Sequence, residues 1–187
     1  MTNYIAIAML TLLAGSASAA PARYVQAASG NSLAFTFTQL DAASTGHFKT
    51  FATELQYDES NLAQSTLLVR VMIDSLDTQD AERDDALKTT DLFDAKAFPA
   101  ATFVAKSLAR NAAGGLEAVG RLTIRGLSRD LRLPLTLKPT ANGFELSGQT
   151  AIKRLDFGVG QGDWKSTESV GDDVKLQYKV TLVKAST

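Results

Sequence analysis

The chain has 187 residues, with 19 Lys and Arg against 20 Asp and Glu, one histidine and no cysteine. A formal charge of -1 excludes the basic footprint of a nucleic-acid-binding domain. The missing cysteine excludes disulfides, thiolate nucleophiles and Cys-based zinc sites together, and the lone His47 leaves a Ser-His-Asp triad or a histidine metal cage without support.

The chain opens on "YIAIAMLTLLAGSASAA", an uncharged apolar run ending in small residues. Ala17-Ser18-Ala19 fits a small-x-small cleavage site, which predicts a signal peptide over 1–19, a mature start at Ala20 and a periplasmic or secreted protein. The run is short for a membrane span. Residues 20–187 read as one domain, with no repeat, low-complexity tract or linker.

From Leu33 onward, period-two alternation dominates. "SLAFTFT" places Leu33, Phe35 and Phe37 on one face; "FATELQY" places Phe51, Thr53, Leu55 and Tyr57 together; "TLLVRVMID" does the same for Leu67, Val69, Val71 and Ile73, with Arg70 outside. "ATFVAKSLA" and "GRLTIRG" follow. "DLRLPLTL" aligns four leucines and puts Pro134 on the opposite face, the mark of an edge, a bulge or a strand end. "GFELSGQTAI" and "DVKLQYKVTLV" complete the set, the last with Val174, Leu176, Tyr178, Val180 and Leu182 in register. Turns are expected at Asn111–Gly115, Gly126–Ser128 and Ala141–Gly143. Eight strands, most of them wet on one face and dry on the other, predict an all-β antiparallel barrel or sandwich, and a barrel leaves no exposed edge.

Between the third and fourth strands lie about 25 residues, too many for a structureless loop. "DTQDAERDDALK" predicts a short helix, capped by Asp77 or Thr78, with Asp80 and Glu82 in its first turn. Pro99 forces Phe98 to be extended. The segment reads as a helical lid that points Leu87, Leu92, Phe93 and Phe98 at the barrel.

Residues 75–103, "SLDTQDAERDDALKTTDLFDAKAFPAATF", resemble the signature of the YceI-like family. "GRLTIRGLSRDLRLPL", "IKRLDFGVG" and "VGDDVKLQYKVTL" are similar to further stretches of that family, in the same order. The resemblance spans roughly residues 24–184. One departure is "SGNSLAF", where many members show a Pro-x-His-Ser turn. The resemblance implies an exported, eight-stranded, lipocalin-like barrel with a short helical lid between strands three and four. It implies a non-catalytic protein that binds, transports or sequesters a polyisoprenoid lipid in an apolar cavity. That lipid would be a quinone tail or an isoprenoid phosphate or alcohol. Some relatives accompany membrane b-type cytochromes, which makes such a cytochrome a candidate partner.

The candidate cavity lining is Phe35, Phe37, Phe48, Phe51, Val69, Leu87, Phe93, Phe98, Phe103 and Leu122. Arg83, Asp84 and Arg154 are candidates for head-group contact or for pinning the lid, with Arg83–Asp84 and Arg154–Asp156 as structural ion pairs the alternative. No cofactor, metal or catalytic residue is expected. "GVGQG" at 158–162 lacks the context and Lys-Ser/Thr of a phosphate loop, and His47 reads as an exposed turn residue. Two other functions stay open at this point: an enzyme acting on a small apolar substrate through Asp84, Arg83 or Arg154, and a filled barrel that works through a partner surface. The sequence leaves the oligomeric state open.

Overall fold

The computed structural model describes residues 20–186; the expected signal peptide and its cleavage site lie outside the described residues. The strands are β1 (Ala22–Gln26), β2 (Ser32–Gln39), β3 (Ala42–Phe48), β4 (Phe51–Tyr57), β5 (Thr66–Met72), β6 (Leu76–Asp77), β7 (Ala100–Arg110), β8 (Leu116–Ile124), β9 (Leu127–Thr140), β10 (Gly143–Lys153) and β11 (Asp173–Lys184). Helix α1 (Ala81–Lys88) lies between β6 and β7.

The sheet closes on itself. Strands β1, β4, β5, β7, β8, β9, β10 and β11 form a ring of antiparallel neighbours, and β1 pairs back onto β11 to complete it. The eleven segments make eight barrel strands because three barrel strands are interrupted. β1 and β2 run one after the other along β11, β1 beside Leu182–Lys184 and β2 beside Lys175–Lys179. β3 pairs with β2 and β4 with β1. β5 turns through a 3₁₀ segment, Ile73–Ser75, into β6, which pairs with β3.

Two strands escape the alternation. β1 is short, and β3, "AASTGHF", offers almost no bulky apolar residue. The inward position of β3 is filled by its neighbour: Gly46 lies opposite Phe35, and a Cβ on Gly46 would sit 2.3 Å from the Phe35 ring. His47 therefore belongs to a strand rather than a turn, and it is exposed. The β8–β9 turn also differs from the expected Gly126–Ser128. Its two residues are Arg125 and Gly126, with φ of 49° and 73°, the left-handed pair of a two-residue hairpin.

Pro134 marks a break in the wall. β9 pairs with β8 along Leu127–Leu135, but its ladder with β10 covers only Thr136–Thr140 against Ser147–Gly143.

The two ends of the interior differ. At one end Tyr24 and Tyr57 each meet Phe144 edge-to-face, with ring centroids 5.0 and 5.4 Å apart, and Leu55 and Leu182 stand opposite Tyr24 and Phe144 in the ladders. At the other end α1 and the segments 89–99 and 154–172 cover the barrel. The lid helix is capped by Asp80, whose carboxylate accepts from the Arg83 backbone N–H at 3.1 Å; the cap expected at Asp77 or Thr78 is thus displaced. Thr78 and Asp77 do other work. Thr78 donates its backbone N–H and hydroxyl to Asp84, and Asp77 accepts from the Gln79 N–H and pairs with Lys49 at 2.5 Å.

Candidate functional site

Below the lid the interior is hollow. An outer chamber of about 160 Å³ lies against the lid, and an inner chamber of about 100 Å³ lies deeper in the barrel. Leu33, Val71, Ala101, Leu122 and Leu176 line both and lie between them. Alternation builds this hollow: each inward residue of β2, β5, β7, β8 and β11 projects towards the axis, and its neighbours face solvent.

The expected lining residues divide between the chambers. Phe35, Phe37, Phe48, Leu87 and Phe93 line the outer one, Phe51, Val69 and Phe103 the inner one, and Leu122 both. Phe35 packs at 6.2 Å from Phe37 and 5.1 Å from Phe48, whose ring meets Phe93 edge-on at 6.4 Å. Phe98 is the exception and corrects the expectation. It lies outside both chambers, with its ring over the β8–β9 turn, so that a Cβ on Gly126 would come within 2.8 Å of it. The hydrogen bond from the Phe98 N–H to the Asp94 carbonyl, at 2.8 Å, turns the chain there.

The charged candidates also sort differently from expectation. Arg83 and Asp84 do not pair with each other. Arg83 pairs with Asp80 at 3.2 Å through Nη2 and lines the outer chamber, while Asp84 is occupied by Thr78. Arg154 does not pair with Asp156. It is 5% exposed, and all five of its N–H donors go to backbone carbonyls: Nε to Gly171, Nη1 to Val159 and Trp164, and Nη2 to Ser166 and Val170, at 2.7–3.1 Å. Burial lowers the guanidinium's pKa, and Asp172 nearby opposes this. With no donor left over, Arg154 holds the 158–171 segment in shape and cannot hydrogen-bond a ligand.

That segment receives the lid. Gly160 and Gln161 donate their N–H groups to the Asp91 carbonyl at 3.0 and 2.7 Å. Arg125 reaches across from the β8–β9 turn, donating to the carbonyls of Gly158 and Thr90. The stretch "GVGQG" is thus a docking strap for the lid. A Cβ on Gly160 would fall 1.9 Å from Arg154 Nη1, and only glycine suits its φ of 125°.

Sequence reasoning missed several lining residues, among them Trp164 and Ile152 in the outer chamber and Thr53 and Tyr178 in the inner one. The inward registers of "FATELQY" and "DVKLQYKVTLV" already contained Thr53 and Tyr178, as polar side chains among apolar ones. Trp164 stands on a 3₁₀ turn, Gly162–Lys165, that carries no period.

The family model of the YceI-like domain matches residues 24–182. The chain belongs to the YceI-like family. UPF0312 proteins of Vibrio are related: one from Vibrio parahaemolyticus is 31% identical over 115 residues, which are 60% of this chain and 61% of the relative. One from Vibrio cholerae is 31% identical over 122 residues, 61% of this chain and 64% of that one. The chain therefore spans less than two thirds of the length of these relatives. Among solved structures, BcnA of Burkholderia cenocepacia is 29% identical with a TM-score of 0.76, covering 80% of this chain and 94% of that one. The Campylobacter jejuni YceI protein is 28% identical, with a TM-score of 0.64 and coverage of 76% and 85%. A polyisoprenoid binding domain from Saccharophagus degradans shares the fold at 14% identity, with a TM-score of 0.69 and coverage of 88% and 99%.

Proposed function

We propose that this YceI-like barrel binds a polyisoprenoid lipid in its two chambers without chemically transforming it. The observation that carries the reading is the pair of adjacent apolar chambers, whose lining among the described residues is polar only at Gln39, Arg83 and Arg154 in the outer one and at Thr53, Thr102 and Tyr178 in the inner one. A slim, branched hydrocarbon suits such a space. At about 0.8 kcal/mol per buried methylene, each five-carbon unit contributes on the order of 4 kcal/mol of gross driving force. Affinity then needs no charged contact.

The polyisoprenoid-binding domain from Saccharophagus degradans supports this ligand class by its shared fold. A carrier fits the chambers better than an enzyme. The one lining arginine with donors to spare is Arg83, and the other, Arg154, is saturated by carbonyls. Among the described residues no pair of carboxylates lines either chamber, so general acid/base chemistry lacks its usual groups there. The leader-like sequence at 1–19 supports an exported protein that moves or stores isoprenoid in the periplasm. If the ligand is a quinone, a membrane b-type cytochrome is a partner that would use it.

Trp164 provides the test. It is the protein's single tryptophan and lines the outer chamber. Titration with a quinone carrying two or more isoprene units should quench its fluorescence to saturation at one equivalent. Quenching that stays linear in quinone, as for collisional encounter in solution, would refute the reading.

A further inference from the structure

The barrel wall is split along one seam. β9 and β10 are neighbours in the ring, yet their ladder covers only Thr136–Thr140 against Ser147–Gly143. Continuing that register would set Leu131 opposite Ile152, but no ladder joins the two strands there. The split is framed on both sides. β9 stays paired with β8 along Leu127–Leu135, and β10 stays paired with β11 along Gly143–Lys153. Tyr178 ties off the closed end by donating to the Pro134 carbonyl past Gly148. Unpaired strand edges are a liability that barrel closure otherwise removes, so an edge kept open between two intact ladders calls for a use.

An external cleft of about 260 Å³ occupies the split. It shares Ile152 and Phe157 with the outer chamber and Leu131 with the inner one. Its rim is charged, with Arg129 and Asp130 from β9 and Lys153, Asp156 and Asp173 from β10 and the segments after it.

We propose that this cleft is a side portal, through which an isoprenoid tail passes into the chambers when Leu131, Ile152 and Phe157 swing aside. The inference rests on the isoprenoid reading above and adds the route of entry. The competing route runs beneath the lid and disrupts more. Gly160 and Gln161 hold the Asp91 carbonyl through their N–H groups, and Arg125 holds the Thr90 carbonyl, so lifting the lid breaks three hydrogen bonds. The portal needs side chains to rotate and no backbone hydrogen bond to break, and such rotation is faster than lid opening. The charged rim keeps a polar head group in contact with water while the tail goes in first.

A route sets rates and leaves affinity alone, so the test is kinetic. The chain has no cysteine, so one introduced thiol is unique. Ala151→Cys places it on the rim of the cleft, and Ala52→Cys places it on β4, across the ring from the split. Each full-length variant, before and after capping with a poly(ethylene glycol) maleimide, is mixed with a quinone carrying two isoprene units, and Trp164 quenching reports uptake. The cap on Ala151→Cys should slow uptake and release alike, by about 10-fold or more, and change the equilibrium affinity less than about 2-fold. The cap on Ala52→Cys should change the uptake rate less than about 2-fold. So should Arg125→Asn, which frees the Thr90 carbonyl with a residue that tolerates the φ of 49°. Unchanged uptake by capped Ala151→Cys, or equal slowing by both caps, would overturn the portal and leave the isoprenoid reading intact. Uptake accelerated by Arg125→Asn would overturn it in favour of the lid. Failure of the wild-type protein to show saturable quenching would overturn the isoprenoid reading and the portal with it.

Discussion

Tyr178 on β11 donates its hydroxyl to the carbonyl of Pro134 on β9, reaching past β10 through the space left by Gly148. The contact lies where the β9–β10 ladder has ended. A Cβ on Gly148 would sit 2.4 Å from the Tyr178 oxygen and 2.5 Å from the Pro134 oxygen. Tyr178→Phe should therefore cost about 1–2 kcal/mol of stability, the value of a buried hydrogen bond and an orphaned carbonyl. Gly148→Ala should cost more, about 2–3 kcal/mol, because it removes the bond and forces backbone apart. Urea unfolding of both variants checks the order.

The same tyrosine sets an alkaline limit. Burial pushes its hydroxyl well above the usual pKa of a phenol. A group held protonated in the folded state contributes its stability below its unfolded pKa and loses it as pH rises beyond that value, because the unfolded chain ionises first. Stability should fall as pH climbs above about 10. Melting curves from pH 8 to 11.5 should show this decline in the wild type and a shallower one in Tyr178→Phe. Tyr57, raised mainly by burial and secondarily by Glu59, supplies part of what remains.

Arg154 organises the lid strap through five carbonyls, so its removal strands acceptors that the fold hides from water. Arg154→Met should cost about 3–5 kcal/mol, the range for breaking a buried charge-assisted network. It should also raise amide exchange across residues 158–171 before it affects the β10–β11 ladder. Gly160→Ala should reproduce the local effect by pushing the guanidinium aside. Uniform exchange throughout the barrel would show that Arg154 supports the whole fold and not the strap.

Phe93 belongs to the lid and meets Phe48 over the outer chamber. Phe93→Asp places a carboxylate where the proposed tail runs. It should lower isoprenoid affinity by at least about 100-fold, given a cost of several kcal/mol for a buried unpaired charge, while far-ultraviolet circular dichroism still reports a barrel. A variant that folds and keeps its affinity would show that the tail does not pass beneath the lid.

Much of this was legible in the sequence, for a reason visible in particular strands. In β4, β5 and β8–β11 the side-chain period of two coincides with one dry face, so the pattern alone locates the strands and the hollow they enclose. β3 was not legible because its inward volume is supplied by Phe35 from the next strand, leaving Gly46 where an apolar residue would have marked the period. The roles of Arg154 and Phe98 were hidden for a different reason. Backbone carbonyls have no residue signature, so nothing in "IKRLDFGVG" shows that Arg154 bonds five of them. A phenylalanine in a lid looks the same whether it faces the chamber or, like Phe98, covers a turn. Thr53 stood in plain view within the inward register of β4; that its hydroxyl has no partner among the described residues is visible only in the packed barrel.

The most direct test of the account is native mass spectrometry of the protein purified from cells that produce it, followed by solvent extraction of whatever it carries. The account predicts a one-to-one complex that releases an isoprenoid lipid. A protein that arrives empty and takes up no added isoprenoid quinone or alcohol would contradict it.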